Sequence, residues 1–332
     1  MRSFLLLLAS LLFFVPQLVV AQTQEPLFTP HIERHSNGYI DWDQGVIYST
    51  GRAYAENNRG SRAHTTAAAR LVAAANIVKL ASRLTLDDRH TMEKLGNGTF
   101  VLKLQAFLRY REKQRNFVGN VSHPYADVTL ATPLRGVEGL TAKLLTQLKK
   151  HPLQWQKFPL PDPRTRQTGT DDLWLVVDTR HLPKTAKLQP CLFPKISSSN
   201  GHTLYDLNQV YQSSATQRGM ARYVHSSASV EEIMLSLTSP KTPQWQLWAR
   251  WLNPIHNAWA GTRSRRPRYI VTSAQQVRGI TRTNLVISNY DAQRLRQEDM
   301  ASKILKNCRV IIITSAPIGG IEGCLTNDLR LI

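Results

Sequence analysis

The chain has 332 residues, and 42 lysines and arginines against 23 aspartates and glutamates give it a formal net charge of +19 at pH 7. This charge predicts attraction to an acidic protein, anionic lipid head groups or cell-wall polymer. Three cysteines are too few for an all-disulfide framework, and at least one of them must stay unpaired.

Residues 1–21 have the pattern of a secretory signal peptide, with Arg2 before an apolar run and Ala21 at the expected cleavage point. The apolar run is short for a membrane span, although a retained N-terminal anchor is the alternative. We therefore expect an exported, periplasmic chain beginning near Gln22, with no transmembrane span after signal cleavage. Export also argues against a nucleic-acid partner. The first cysteine is Cys191, so no lipid-accepting cysteine follows the signal.

An extended N-terminal arm is expected over residues 22–36, followed by two short strands between Gly38 and Tyr54. Asp43 and Gln44 form the predicted turn, and Gly45 completes it. Gly51 is expected to end the second strand. Gly60 and Ser61 then precede a helix that runs to about Leu86.

Apolar residues recur in this helix at spacings of three and four, which predicts a face packed on a sheet. They are Ala67, Leu71, Ala74, Val78, Ala81 and Leu84. Strands over 100–111 and 124–134 and a helix over 136–148 complete a ββαββα domain at residues 37–150. The hairpin pairs predict an antiparallel sheet and argue against a Rossmann unit.

Four prolines mark residues 151–170 as a connection. The second domain, residues 171–332, is expected to contain a strand from 171, a hairpin at Asn200-Gly201, a short helix near 229–237 and a helix over 291–306. Further strands begin at Arg268, Thr283 and Cys308. Both halves are therefore predicted to be α+β, with antiparallel sheets packed against helices.

Sequence marks of catalysis or cofactor binding are missing. Gly51 and Gly60 are too far apart for a phosphate-binding loop, and no paired-ligand motif surrounds His202, His225 or His256. Asp41 and Asp43 could bind a cation or form a charged hairpin end. No nucleophile motif occurs, so we predict no catalytic residue, no metal and no cofactor; a hydrolase without a signature is the weakest alternative.

A segment at about 240–266 is rich in tryptophan and arginine and looks like an insertion. Its aromatic and basic residues, with the arginine that follows, predict a partner interface: Trp245, Trp248, Trp251, Trp259, Arg263, Arg265, Arg266 and Arg268. The alternative is that the tryptophans cover the sheet and the arginines lie in a solvated loop. Cys308 and Cys324 bracket a strand and turn, where they form either a disulfide or two buried thiols.

The run NGYIDWDQGVIYSTG, followed by an alanine-rich helix, resembles the N-terminal module of the LPP-twenty outer-membrane lipoprotein family, which includes the flagellar proteins FlgP and FlgT. The positions that fit the family are Trp42, Gly45, Ile47, Gly51, Arg70 and Ala73 to Ala75. A structural role is expected for Trp42, Gly45 and Gly51, and also for Gly60 at the helix entry. PYADVTLATPLRGVEGL looks like the family's strand and turn. LWLVVDTRHL, LQPCLFPKI and NGHTLYDL resemble larger exported relatives.

This resemblance implies a non-enzymatic periplasmic structural subunit, associated with the outer membrane, in a flagellar ring-like or secretion-system core assembly. The implied partners are other envelope proteins in an oligomeric ring, contacted through edge strands, the N-terminal arm and the Trp/Arg segment. The alternative is a peripheral binder of cell wall or anionic lipid. The chain departs from the family in lacking the lipid-accepting cysteine.

Overall fold

A computed structural model describes residues 29–55, 61–95, 108–148, 159, 173–238 and 268–315. The predicted signal peptide, Gly60, Cys324 and the Trp/Arg segment up to residue 267 lie outside these residues. The described part contains a five-stranded antiparallel sheet and an eight-stranded mixed sheet, both packed with helices. The predicted α+β class is therefore confirmed.

The smaller sheet is built around the predicted hairpin. Its strands are β2 (Ile32–His35), β3 (Gly38–Asp41), β4 (Val46–Tyr54), β5 (Arg111–Val118) and β6 (Tyr125–Pro133). They are ordered β2-β3-β4-β6-β5, and every neighbouring pair is antiparallel. Gly45 takes a left-handed φ of 68° in the turn between β3 and β4, a conformation that glycine adopts at little cost.

Helix α1 (Arg62–Arg83) lies across β4 and β6. The sequence predicts that Gly51 ends this strand. In the structure, Gly51 lies inside β4, at the point where the backbone of α1 comes closest to the strand. A Cβ at Gly51 would lie 2.2 Å from the Ala69 carbonyl oxygen and 2.3 Å from the Ala73 nitrogen. Glycine on the strand and alanines on the helix thus allow the two backbones to touch.

The face of α1 that packs on the sheet differs from the predicted one. Ala69, Ala73 and Ile77 are fully buried, whereas Ala67 is exposed and Leu71 has 72% of its surface exposed. The predicted face is correct only toward the C-terminal end, where Val78, Ala81 and Leu84 are buried. Because α1 is apolar around most of its circumference, periodicity alone does not identify the side that the sheet covers.

Strand β5 lies later in the chain than the strand predicted over 100–111, most of which is outside the described residues. Its sequence, REKQRNFV, lacks an apolar alternation because β5 is an edge strand with largely exposed side chains. Ser61 precedes α1 as predicted, although its hydroxyl makes no capping hydrogen bond.

The larger sheet contains eight strands. They are β1 (Thr29–Pro30), β7 (Leu173–Asp178), β8 (Ile196–Ser198), β9 (Thr203–Tyr205), β10 (Arg222–His225), β11 (Arg268–Arg278), β12 (Asn284–Ile287) and β13 (Val310–Thr314). Their order is β1-β10-β13-β7-β11-β12-β8-β9. The central strands β10, β13, β7 and β11 are parallel, and β8 and β9 form the predicted hairpin at Asn200-Gly201.

The remaining helices are α2 (Met92–Leu95), α3 (Leu140–Leu148), α4 (Gln212–Arg218), α5 (Val230–Thr238) and α6 (Asn289–Ser302). Helix α6 begins after Ser288, whose hydroxyl accepts a hydrogen bond from the Asp291 N–H, and it ends four residues before the predicted boundary. Helix α5 buries Ile233 and Met234 against one face of the larger sheet.

One hydrophobic cluster runs through both sheets, from Ile40 and Ile47 in the smaller sheet to Leu285 and Ile312 in the larger. The loop after α1 joins the two halves further, because the N–H groups of Leu192 and Phe193 donate to the carbonyls of Thr85 and Leu86. The two sheets therefore share a core.

Candidate interaction surface

Arg135 joins the smaller sheet to the larger one. It follows β6, and its part-buried guanidinium donates to three backbone carbonyls: Nη1 to Asp43 at 2.9 Å, and Nη2 to Trp42 at 2.8 Å and to Ala221 at 2.9 Å. Removal from water and the nearby charge of Arg222 lower the pKa of Arg135 to about 10, so it stays charged at neutral pH. One side chain thus holds the β3–β4 turn against the start of β10.

Two glycines make room for Arg135. A Cβ at Gly45 would lie 2.7 Å from its Nε atom, and a Cβ at Gly219 would lie 2.8 Å from the same atom. Asp43 meanwhile accepts two hydrogen bonds from Arg222, at 2.7 Å and 3.0 Å. Asp43 therefore joins the two sheets. Asp41 accepts a hydrogen bond from the Gln44 N–H at 2.8 Å, so both carboxylates at the hairpin end have partners within the chain.

His31 lies where the chain passes from one sheet to the other. It separates β1, which pairs with β10 of the larger sheet, from β2, which pairs with β3 of the smaller sheet. The His31 ring stacks on His225 with centroids 4.1 Å apart, and its Nδ1 atom is buried without a hydrogen-bond partner in the described structure. Thr314 and the Ser315 carbonyl approach Nδ1 of His225.

Burial keeps both imidazoles neutral. It lowers the pKa of His31 to about 3, with smaller contributions from the charges of His225 and Lys187, and it lowers the pKa of His225 as well. The unfolded chain, with a histidine pKa near 6.5, therefore binds more protons than the folded chain below that pH. Stability must fall as the pH falls from about 6.5 toward the folded pKa values.

We expect the free energy of unfolding to drop by about 2 kcal/mol between pH 7 and pH 5 from His31 alone. Urea denaturation at both pH values measures this drop. His31→Phe keeps a ring for stacking on His225 and removes the titration, so the variant should lose that part of the pH dependence. An unchanged pH dependence in the variant would show that His31 is not the titrating group.

The outer side of α1 carries an exposed apolar stripe, which we call the α1 stripe. It faces away from Ala69 and Ala73, which pack on the sheet. It consists of Ala67, Ala68, Leu71, Val72 and Ala75. Leu71 is 72% exposed and Val72 is 41% exposed. Helices with apolar residues on both sides are normally covered on both sides, so this stripe is suited to a contact.

Cations border the α1 stripe. Arg62, Arg70, Lys79 and Arg83 lie on α1, and no aspartate or glutamate occurs between residues 62 and 83. Arg70 lies 3.9 Å from Glu112 of β5, whereas Lys79 and Arg83 have no ion-pair partner among the described residues. The stripe therefore presents an apolar strip beside positive charge.

The edge of β5 is poorly suited to adding another strand. Lys113 lies at an irregularity in its pairing with β6, and Arg111 and Arg115 project beside it. A bulge and charged side chains are the usual protections of a sheet edge. The other edge strands of the described sheets, β1, β2 and β9, have two to four residues. The α1 stripe is therefore the better candidate contact than a β edge.

The residues predicted to form a partner interface fall mostly outside the described residues, and only Arg268 lies within them. Arg268 is exposed at the start of β11, in register with Leu173 at the start of β7. The four predicted tryptophans lie outside the described residues, so the Trp/Arg interface stays a prediction. Trp42 is buried, and its indole N–H donates to Glu33 at 2.9 Å.

The described cysteines lie in the core. Burial raises the pKa of Cys191 and of Cys308 to about 12, which keeps both thiols protonated. Because Cys324 lies outside the described residues, its pairing with Cys308 stays a prediction. The described ranges contain no group of three or more metal-ligating side chains. Among the described helices, none has the length and apolarity that crossing a bilayer requires.

A comparison with protein families gives one match, to the model of the second domain of Treponema pallidum Tp0624. It covers residues 174–241 and 249–316, the part of the chain that contains β7 to β13. No curated protein matches the chain. These two ranges are therefore similar to that domain, while the resemblance of the first half to the LPP-twenty family stays a prediction.

Sequence reasoning missed Arg135 and His31 entirely. Their partners, Ala221 and His225, lie far away in the chain, so no local spacing connects them. The α1 stripe, in contrast, had a sequence signal: apolar residues occur on more than one side of the helix.

Proposed function

We propose that this protein is a non-catalytic structural subunit of a bacterial envelope assembly, located in the periplasm near the outer membrane. The single observation that supports it best is the exposed α1 stripe on a rigidly packed helix. The charged groups at the junction of the two sheets support it too, since Asp43, Arg135 and Arg222 form hydrogen bonds that join the sheets. The flagellar or secretion-system setting rests on the resemblance of the first half.

The structure of α1 explains why such a contact would be specific. Gly51, Ala69 and Ala73 fix the helix on the sheet, so the stripe is presented in one orientation. A pre-organised surface loses little conformational entropy on binding. Leu71 at its centre is the natural anchor for a partner pocket.

We expect Leu71→Asp to remove the chain from a high-mass envelope assembly while leaving its thermal unfolding almost unchanged, because Leu71 makes few contacts within the chain. The measurement is native mass analysis of gently extracted envelopes that contain the full chain. Val137→Asp is the matched control, since Val137 is 74% exposed and lies outside α1. A wild-type chain found only as a free monomer would refute the proposal, as would equal behaviour of the two variants.

A second candidate function is supported by the cations beside the stripe. A helix with four basic and no acidic residues could lie on anionic lipid or cell wall. Co-sedimentation with phosphatidylglycerol vesicles at low and high salt tests it. Binding that disappears at high salt and in Lys79→Gln would favour this candidate, and absence of binding at low salt would remove it.

A further inference from the structure

We propose that the α1 stripe receives helix α5 of a second copy of this chain. This inference rests on the proposed function and names the partner of the same surface. The first reason is charge. Helix α1, which carries the stripe, is basic throughout, so two α1 helices facing each other would bring Lys79 and Arg83 of one copy close to Arg62 or His64 of the other copy. Such a pairing is disfavoured, and a helix with carboxylates is favoured instead.

Helix α5 has the complementary composition. Glu231 and Glu232 occupy its first turn, and residues 230–238 contain no lysine or arginine. Leu235 is 39% exposed and lies one turn after Glu231, so the two project on the same side. Ile233 and Met234 point the other way, into the cluster beneath the larger sheet. The helix thus offers an exposed leucine beside carboxylates that form no ion pair within the part of the chain that the structure describes.

Helix α6 is a poorer match. It exposes Tyr290 and Met300, but its exposed carboxylate, Glu298, lies beside exposed Arg294 and Arg296, which would face the cations of α1. Helix α5 has carboxylates and no cation, so charge complementarity favours α5 over α6.

The spacing along the two helices also agrees. In an antiparallel arrangement, Leu235 lies over Ala75 next to Leu71, and Glu231, four residues earlier, lies beside Lys79, four residues later than Ala75. The alanines of the stripe allow close approach of the second helix. Glu232 already accepts hydrogen bonds from Ser229, whereas Glu231 has no ion-pair partner among the described residues and is the carboxylate that we expect to pair with Lys79.

The contact joins different surfaces of the two copies, so each copy keeps one α1 and one α5 available for another neighbour. A contact of this heterologous kind closes into a ring when the rotation between copies allows it, and otherwise forms a filament. Repetition can make a modest contact sufficient for assembly, since every subunit in a closed ring is held on two sides.

The test is a charge exchange in the full chain, measured by sedimentation velocity. Lys79→Glu alone and Glu231→Lys alone should each weaken self-association by about five- to tenfold. The double variant should restore it, because the pair is re-formed with the charges exchanged. Arg296→Glu, an exposed arginine on α6, controls for the change in net charge and should have little effect.

A wild-type chain that does not self-associate, or a double variant no better than the single ones, would overturn this inference. If Leu71→Asp still removed the chain from the envelope assembly, the proposed function would stand and the occupant of the stripe would be a different protein. If the wild-type chain did not self-associate and Leu71→Asp did not remove the chain from the envelope assembly, the proposed function would be overturned as well.

Discussion

Replacement of Arg135 by methionine is expected to lower the free energy of unfolding by about 2–4 kcal/mol. The variant keeps most of the side-chain volume but leaves three carbonyls, those of Trp42, Asp43 and Ala221, without their donor. It also leaves the Gly45 and Gly219 backbones packed around an apolar chain. Urea denaturation at pH 7 measures the change.

Two comparisons make the Arg135 result interpretable. Arg111→Met removes an arginine that pairs with Glu138 at 2.9 Å while both side chains are mostly exposed, and it should cost less than about 1 kcal/mol. Arg135→Lys retains the charge but not the planar set of donors, so its loss should fall between the two. Equal losses for Arg135→Met and Arg111→Met would show that Arg135 does not join the sheets.

Gly51→Ala is expected to destabilise the fold by about 3 kcal/mol or more, although it adds a single methyl group. That group would meet the Ala69 carbonyl and the Ala73 nitrogen, which belong to the helix backbone and cannot rotate away. Helix α1 must therefore shift off β4. Thermal unfolding of the variant measures the loss, and amide exchange of α1 should accelerate along with it.

Gly119→Ala is the matched control for Gly51→Ala. Its new methyl group would approach the Phe117 ring at 3.1 Å, and a partly buried side-chain ring can shift more easily than helix backbone atoms. Its cost should stay below about 1 kcal/mol. Ala69→Gly combined with Gly51→Ala should give no rescue, because the conflict is with backbone atoms and not with the alanine side chain. A full rescue would contradict the close-packing explanation.

Local patterns predicted the elements that depend on local chemistry. The β3–β4 turn follows from Asp43, Gln44 and Gly45, and the β8–β9 hairpin follows from Asn200-Gly201. The start of helix α1 near Ser61 also follows from local sequence. These features need only neighbouring residues, so the sequence contains all the information that determines them.

Long-range pairing explains most of the differences between the predicted and the observed strands. Strand β13 lies in the parallel centre of the larger sheet, and its five residues, Val310–Thr314, are all buried, as expected for a strand covered on both faces. Strand β10 is only four residues long and follows the polar helix α4, so neither has a periodicity that distinguishes it from a loop. The antiparallel prediction holds for the smaller sheet.

The candidate surface was not predicted. Composition showed a basic chain, but the apolar spacing of α1 placed Leu71 on the face toward the sheet, because the sequence could not show which side of an alanine-rich helix the sheet would cover. Gly51 determines which side of α1 packs on the sheet, because only the alanines that face Gly51 can approach the strand closely. The Arg135 and His31 contacts depend on the same kind of tertiary placement.

The pairing of β1 with β10 has a consequence for the order in which the protein folds. Thr29 pairs with His225, on the order of 200 residues later in the chain, and the smaller sheet that begins at Ile32 needs only residues up to β6. A chain that emerges from its N-terminus can therefore complete the smaller sheet while β1 still waits for its partner. During synthesis, Thr29 and Pro30 are the first of the described strand residues to emerge and among the last to be paired, so a chaperone has a long interval in which to bind them.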